Sequence, residues 1–259
     1  MRNNYAGVIY EDCYEDLNLI FHLNSGNDGY TVASTNKFCG RKLTVPSTHN
    51  GLPVTAIGEY AFRFCSTLES VEIDGRITSI GSLAFYECPI KHITIGSRVN
   101  YIGKNAFHKC PQIESIKVAS DNKKYHSNGN CLIETESKTL ILGCKNSVIP
   151  ADGSVTKIGL GAFRNCAGLS SLTVPNGVID IADYAFCSCT DLAAVTFTDS
   201  LRHVGGKVFF NCALLKYVTF NGTTDKWKNV EKDEAWNIGT GGVTVSCLGG
   251  KLDKNGNRI

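Results

Sequence analysis

The feature that most constrains this chain is a short unit that returns six times. Ile57-Gly58-x-x-Ala61-Phe62-x-x-Cys65-x-x-Leu68-x-x-Val71-x-Ile73 is followed by Ile80-Gly81, Ala84-Phe85, Cys88, Ile90, Ile93 and Ile95, and then by Ile102-Gly103, Ala106-Phe107, Cys110, Ile113, Ile116 and Val118. The pattern resumes at Ile158-Gly159, Ala162-Phe163, Cys166, Leu169, Leu172 and Val174. A fifth copy, from Ile181, has Ala182 in place of Gly before Ala185-Phe186 and Cys189, and a sixth runs from Val204-Gly205 through Val208-Phe209 and Cys212. Starts lie 23, 22, 56, 23 and 23 residues apart, and 56 is one period of 23 plus an insertion of 33. A unit this short cannot bury its own apolar face, so each must stack on its neighbours, and one continuous domain is expected.

Leu-x-x-Val-x-Ile, closing each unit, alternates as a short strand does and predicts parallel pairing from coil to coil. Gly-x-x-Ala-Phe-x-x-Cys predicts a tight turn followed by about one helical turn, with Ala and Phe facing inward.

These residues resemble the BspA-type, or Treponema-like, leucine-rich repeats of bacterial surface proteins and some microbial eukaryotes. Val45-Pro46 through Gly51-Leu52-Pro53-Val54-Thr55-Ala56-Ile57-Gly58 is similar to that family's lead-in to its first coil. Phe220-Asn221-Gly222-Thr223, Trp227, Trp236 and Val243-Thr244-Val245-x-Cys247 are similar to its closing segment. The resemblance implies an α/β repeat solenoid: a right-handed leucine-rich-repeat coil, with a parallel β-sheet on the concave face and short helical turns and strands on the other side. It also implies adhesion to matrix proteins or cells, as for some relatives.

Three further pieces are expected. Residues 1–42 alternate in Leu19-Ile20-Phe21-His22-Leu23 and Tyr30-Thr31-Val32-Ala33 and predict a hairpin cap before repeats spanning 43–220. Residues 221–259, with both tryptophans, predict the opposite cap. An insertion at about 119–154 carries Cys131-Leu132-Ile133 and Thr139-Leu140-Ile141-Leu142 and predicts a hairpin, either a spacer or a binding protrusion.

Cysteine is frequent, 12 in 259 residues, but six fall at one repeat position and predict a buried reduced column with about 4.8 Å between coils. Cys13, Cys39, Cys131, Cys144 and Cys247 have no assigned role. Cys187-Ser188-Cys189 lacks a second pair at zinc-ligand spacing, so no metal and no cofactor is expected. Asp253-x-Asn255-x-Asn257 opens like a calcium loop but has Arg258 where Gly is needed, so a turn at Asn255-Gly256 is expected. Asn221-Gly222-Thr223 is a glycosylation sequon that matters only in a eukaryotic secretory setting.

With 26 basic and 24 acidic residues and no run of either sign, nothing points to nucleic acid, and no apolar stretch is long enough for membrane insertion. A native start at Met1 implies a cytoplasmic protein, whereas the family resemblance implies a secreted or cell-surface one. A monomer is expected.

Positions flanking the inward strand residues should line the concave face. Ser70, His92, Ser115, Ser171, Ala194 and Tyr217 form one column; Glu72, Thr94, Lys117, Thr173, Thr196 and Thr219 form the next. Ser70, His92 and Glu72 invite a hydrolase reading, but an open strand face offers no oxyanion hole, so no enzyme is expected. The expected function is a non-catalytic interaction module that binds a protein or polysaccharide through this face. The alternative is a scaffolding repeat without a ligand of its own.

Overall fold

The computed structural model describes residues 11–14, 19–34, 40–73 and 75–259. Cys39 lies outside the described residues, as does the side chain of Cys13. The chain divides into two compact units, Met1–Cys110 with Ala119–Lys123, and Pro111–Val118 with Lys124–Ile259.

In each unit a coil has three sides: a long strand, a two-residue strand, and a run of turns. In the first unit Lys42–Thr44, Ser70–Ile73 and His92–Ile95 pair in parallel, placing Leu43, Val71 and Ile93 in one buried row. Ser79–Ile80 and Tyr101–Ile102 pair likewise along the second side. In the second unit Ser171–Thr173, Ala194–Phe197, Tyr217–Thr223 and Thr244–Leu248 form the long-strand sheet, closed by antiparallel Gly250–Leu252.

The third side corrects the expected α/β character: its residues form turns, not helix. Tyr60 and Phe64 adopt φ of 55° and 62°, and Leu83 and Glu87 in the next coil 54° and 57°. A left-handed residue at every fourth position stops an α-helix from propagating. Instead the Ala61, Arg63 and Cys65 N–H groups reach back three residues to Gly58, Tyr60 and Phe62, at 3.3, 3.1 and 3.2 Å. The intervening N–H groups of Tyr60, Phe62 and Phe64 donate to the next coil's Ser82, Ala84 and Tyr86 carbonyls at 3.0, 2.7 and 2.9 Å. The turn side is thus a third hydrogen-bonded ladder, and among the described residues the one α-helix is Thr224–Lys228, capped by Thr223. The ladder also explains the opening glycine. A Cβ on Gly81 would lie 2.4 Å from the Glu59 nitrogen of the coil below.

The interior is a stack of rings. Phe62, Phe85 and Phe107 stack at 5.5 and 5.2 Å in the first unit, and Phe163, Phe186 and Phe209 at 5.3 and 5.5 Å in the second. Beside them the repeat cysteines are buried and free. They do more than fill space. The Cys88, Cys110, Cys189 and Cys212 thiols donate to the Phe62, Phe85, Phe163 and Phe186 carbonyls of the preceding coil at 3.0, 3.1, 3.0 and 3.0 Å. Burial pushes Cys110 up to about 12 and Cys212 up to about 11, which keeps these donors protonated.

Both units open in the same way. Leu19–Leu23 and Tyr30–Ser34 form an antiparallel hairpin whose second strand pairs in parallel with Leu52–Ile57. The insertion supplies Tyr125–Asn128, Cys131–Glu134 and Thr139–Leu142, antiparallel in that order, and its last strand pairs in parallel with Lys157–Ile158. The joints correspond bond for bond: Gly58 N–H to Val32 and Ser34 N–H to Ala61 in one, Gly159 N–H to Leu140 and Gly143 N–H to Ala162 in the other, all at 2.8 to 2.9 Å. The insertion therefore starts a second stack, and Val155-Thr156-Lys157-Ile158-Gly159 echoes Val54-Thr55-Ala56-Ile57-Gly58.

The C-terminal segment is a further, disguised coil. Glu231–Lys232 pairs with His203–Val204, and Ala235 and Gly239 take the two left-handed positions at φ 61° and 79°. Trp236 stands where Ala does elsewhere, its carbonyl accepting the Phe209 N–H at 3.2 Å and its ring meeting Phe209 edge-on at 6.2 Å. Trp227 on the short helix covers Phe220 at 5.2 Å. Lys232, at a position otherwise held by Ile or Val, turns its amine to the Trp227 and Val230 carbonyls.

Candidate binding faces

The long-strand sheets place the expected site residues in register. In the first unit Lys42, Ser70 and His92 form one column and Thr44, Glu72 and Thr94 the next. This face is charged. Lys42 Nζ meets Glu72 Oε2 at 2.8 Å, and Glu69 at its border holds both Arg41, at 3.2 Å, and Lys91, at 3.1 Å. Glu72 is therefore turned to a lysine and not to His92. Ser70 and His92 are paired by backbone register, with no hydrogen bond between their side chains among the described residues. A nucleophile needs a base within hydrogen-bonding reach, itself oriented by a third group, and neither contact is made here.

Ser115 and Lys117 belong to the second unit, on Ser115–Val118, where Asn130 Oδ1 accepts the Ile116 N–H at 3.1 Å and Ser127 Oγ the Val118 N–H at 3.0 Å. The remaining site residues form the second unit's main sheet. Ser171, Ala194, Tyr217 and Thr244 stand in one register column, and Thr173, Thr196, Thr219 and Ser246 in the other. Between the columns Leu172, Val195, Val218 and Val245 point inward and are buried, so strand alternation turns the flanking hydroxyls outward. Tyr217 rises from this surface with 66% of its area exposed. The result is an extended face of hydroxyls around one aromatic ring, with the exposed Lys251 opposite Ser246 at its edge.

Sequence reasoning missed four members of these faces. Lys42 and Thr44 precede the first recognisable repeat, and Thr244 and Ser246 belong to the disguised last coil. The alternation Thr244-Val245-Ser246 was the available signal. It also missed the turn side, where Tyr60, Arg63, Phe64 and Tyr86 project from the first unit.

The other candidates have structural partners. Asp253 Oδ1 accepts the Asn255 and Asn257 N–H groups at 2.9 and 2.8 Å, which spends its carboxylate on a turn. Cys189 donates to Phe163 while Cys187 lies beside Ser188, 3.6 Å from its hydroxyl. Among the described residues no group of three or more His, Cys, Asp or Glu side chains is placed to hold a metal, and no helix is long and apolar enough to cross a membrane.

The repeats match the model of the BspA type leucine-rich repeat region in six copies, over residues 33–153 and 142–230. The chain belongs to the BspA-type leucine-rich-repeat family. Among solved structures, this family member resembles the pneumococcal vaccine antigen PcpA with 15% identity and a TM-score of 0.50, over 83% of this chain and 82% of that one. The leucine-rich-repeat protein TpLRR of T. pallidum shares 23% identity with a TM-score of 0.46, over 80% and 81% of the two chains. A leucine-rich cell surface protein of Faecalibacterium prausnitzii shares 17% identity with a TM-score of 0.35, over 90% and 100%. No curated protein matches. The likeness to PcpA bears on the fold alone, which is a leucine-rich-repeat β-solenoid with almost no helix.

Proposed function

We propose that this chain is a non-catalytic interaction module that takes a protein or polysaccharide partner along its long-strand faces, and that the second unit's hydroxyl face is the principal site. The observation that carries this reading is the register itself. Thr173, Thr196, Thr219 and Ser246 repeat from strand to strand at the roughly 4.8 Å spacing of a sheet, flanked by the exposed ring of Tyr217. A hydroxyl array with one amphipathic ring offers many weak, additive hydrogen bonds and one stacking surface, which suits an extended partner such as a glycan chain. Adhesion at a cell surface, which the family resemblance implies, is part of this proposal.

The test is a binding screen on neutral glycans and on immobilised matrix proteins, comparing the native chain with a Tyr217→Ala, Thr219→Lys double variant. Loss of binding of about tenfold or more supports the reading, since aromatic anchors dominate such surfaces. Undiminished binding would move the site off this face. A scaffold without a ligand predicts no binding by either protein.

A further inference from the structure

We propose that the turn side of the first unit is a second, separate interaction surface, which binds an acidic peptide segment through Arg63 held on the rings of Tyr60 and Phe64. This surface is independent of the hydroxyl face, so either reading can fail without the other.

The Arg63 guanidinium carbon lies 4.6 Å from the Phe64 ring centre and 5.3 Å from that of Tyr60. A guanidinium over ring faces at these distances still carries N–H donors that a carboxylate can accept bidentately. Among the described residues no carboxylate lies within ion-pairing distance of Arg63. The neighbouring cation differs: Lys109, over the Tyr86 ring at 5.2 Å, is already neutralised by Glu87 at 2.5 Å. The rings themselves are open, with Tyr60 41% and Phe64 49% exposed. Phe64 meets Tyr86 at 5.6 Å and 72°, and Tyr86 meets His108 at 5.6 Å and 43°, so the aromatic stripe crosses three coils.

Tyr60 and Phe64 occupy the two left-handed turn positions, at φ 55° and 62°, which other coils fill with residues as varied as Leu83, Asn105, Lys109, Tyr184 and Lys207. The protein interior does not require the two rings there, because both are exposed.

Charge complementarity selects an acidic partner, and ring geometry selects a peptide. Rings set at 72° do not form a flat platform for a row of sugars, whereas an aliphatic or aromatic side chain beside a carboxylate can pack against their exposed surfaces. Arg and Tyr are also enriched among protein–protein hot spots, and Phe among interface residues.

The probe is a capped peptide in which glutamates flank leucine and tyrosine, titrated into the full chain while the Arg63 side-chain N–H signals are followed by NMR. The glutamate peptide is expected to bind saturably and to weaken with added salt. Its glutamine counterpart should bind about tenfold more weakly, and so should Arg63→Gln against the glutamate peptide, as for loss of a charge-assisted bidentate pair. Arg63→Lys, which keeps the charge and loses the fork, should not restore full affinity, whereas Tyr217→Ala should bind as the native chain does. Thermal melting confirms that the variants are folded, and Arg63→Lys serves if Arg63→Gln is not. Equal binding of the two peptides, no binding at millimolar glutamate peptide, or Arg63-dependent capture of oligogalacturonate in place of peptide would each overturn the proposal.

Discussion

The two units share one way of standing up and differ in what they display. Each begins with an antiparallel hairpin that hands its last strand to the first coil, and each fills its interior with stacked Phe rings and carbonyl-bound thiols. Outside, the first unit carries ion pairs on its long strands and an arginine–aromatic stripe on its turns. The second carries hydroxyls on its long strands, Arg164 and Lys207 over the Tyr184 ring on its turns and, on its short strands, a chain of charges. There Lys157 meets Asp180 at 2.6 Å, Asp180 meets His203 at 2.7 Å, and His203 meets Asp233 at 3.3 Å. The difference shows that repetition constrains the inward positions of a coil and leaves its outward ones to diverge.

The largest expected effects break what the units share. Phe107→Ala in the first unit and Phe186→Ala in the second each remove a buried ring from a stack, and each should lower unfolding stability by roughly 3 to 5 kcal/mol in denaturant melts. A loss under about 1 kcal/mol at either would mean that the ring stack does not hold that unit together.

The thiol columns should respond more mildly. Cys189→Ala deprives the Phe163 carbonyl of its thiol donor but leaves it the Cys166 N–H at 3.0 Å, so a cost of about 1 to 2 kcal/mol is expected, and Cys189→Ser should lose less. Equal losses for Ala and Ser would reduce the thiol to a space-filler. Thiol counting on denatured protein checks the same assignment, since the described cysteines should all react as free thiols.

The smallest effect sharpens the contrast in surface charge. Hydrogen bonding to Asp180 is the main cause that raises the His203 pKa above its ordinary 6.5, with Asp233 adding to it. A raised folded-state pKa contributes stability that is complete below about pH 6.5 and is lost as pH rises through the folded value. For Asp180 burial acts upward, but Lys157 and His203 outweigh it and hold the carboxyl below 3.8, so its contribution is lost only as pH falls through that lower value. Glu231 stands opposite His203 in register, with Lys232 and Arg202 adjacent, and none of these removes the acidic flank on both ring nitrogens. The native thermal midpoint should therefore fall from about pH 6 to about pH 9 by more than that of His203→Gln. Parallel pH profiles for the two proteins would show that the charge chain contributes nothing.

The repeat was legible because Ala, Phe, Cys and the strand residues face inward and cannot vary freely. The turn side was not, because Gly58, Ala61 and Phe62 have helical spacing while the left-handed backbone at Tyr60, Leu83 and Lys207 leaves no mark in residue type. Asn105, Asn165 and Asn211 were the available hint. The last coil was hidden by Trp236 in an Ala position and by the helix Thr224–Lys228 that lengthens its period. The outward columns were legible wherever the repeat was. The Arg63 shelf was not, since stacking between residues in one turn depends on that same unsignalled backbone.

The most direct test of an interaction surface on the second unit's long strands is hydroxyl-radical footprinting of the native chain, free and with a partner recovered from the glycan and matrix-protein screen. Tyr217, exposed at 66%, should oxidise readily in the free chain and be protected in the complex. A bound partner that leaves Tyr217 oxidation unchanged would contradict the account.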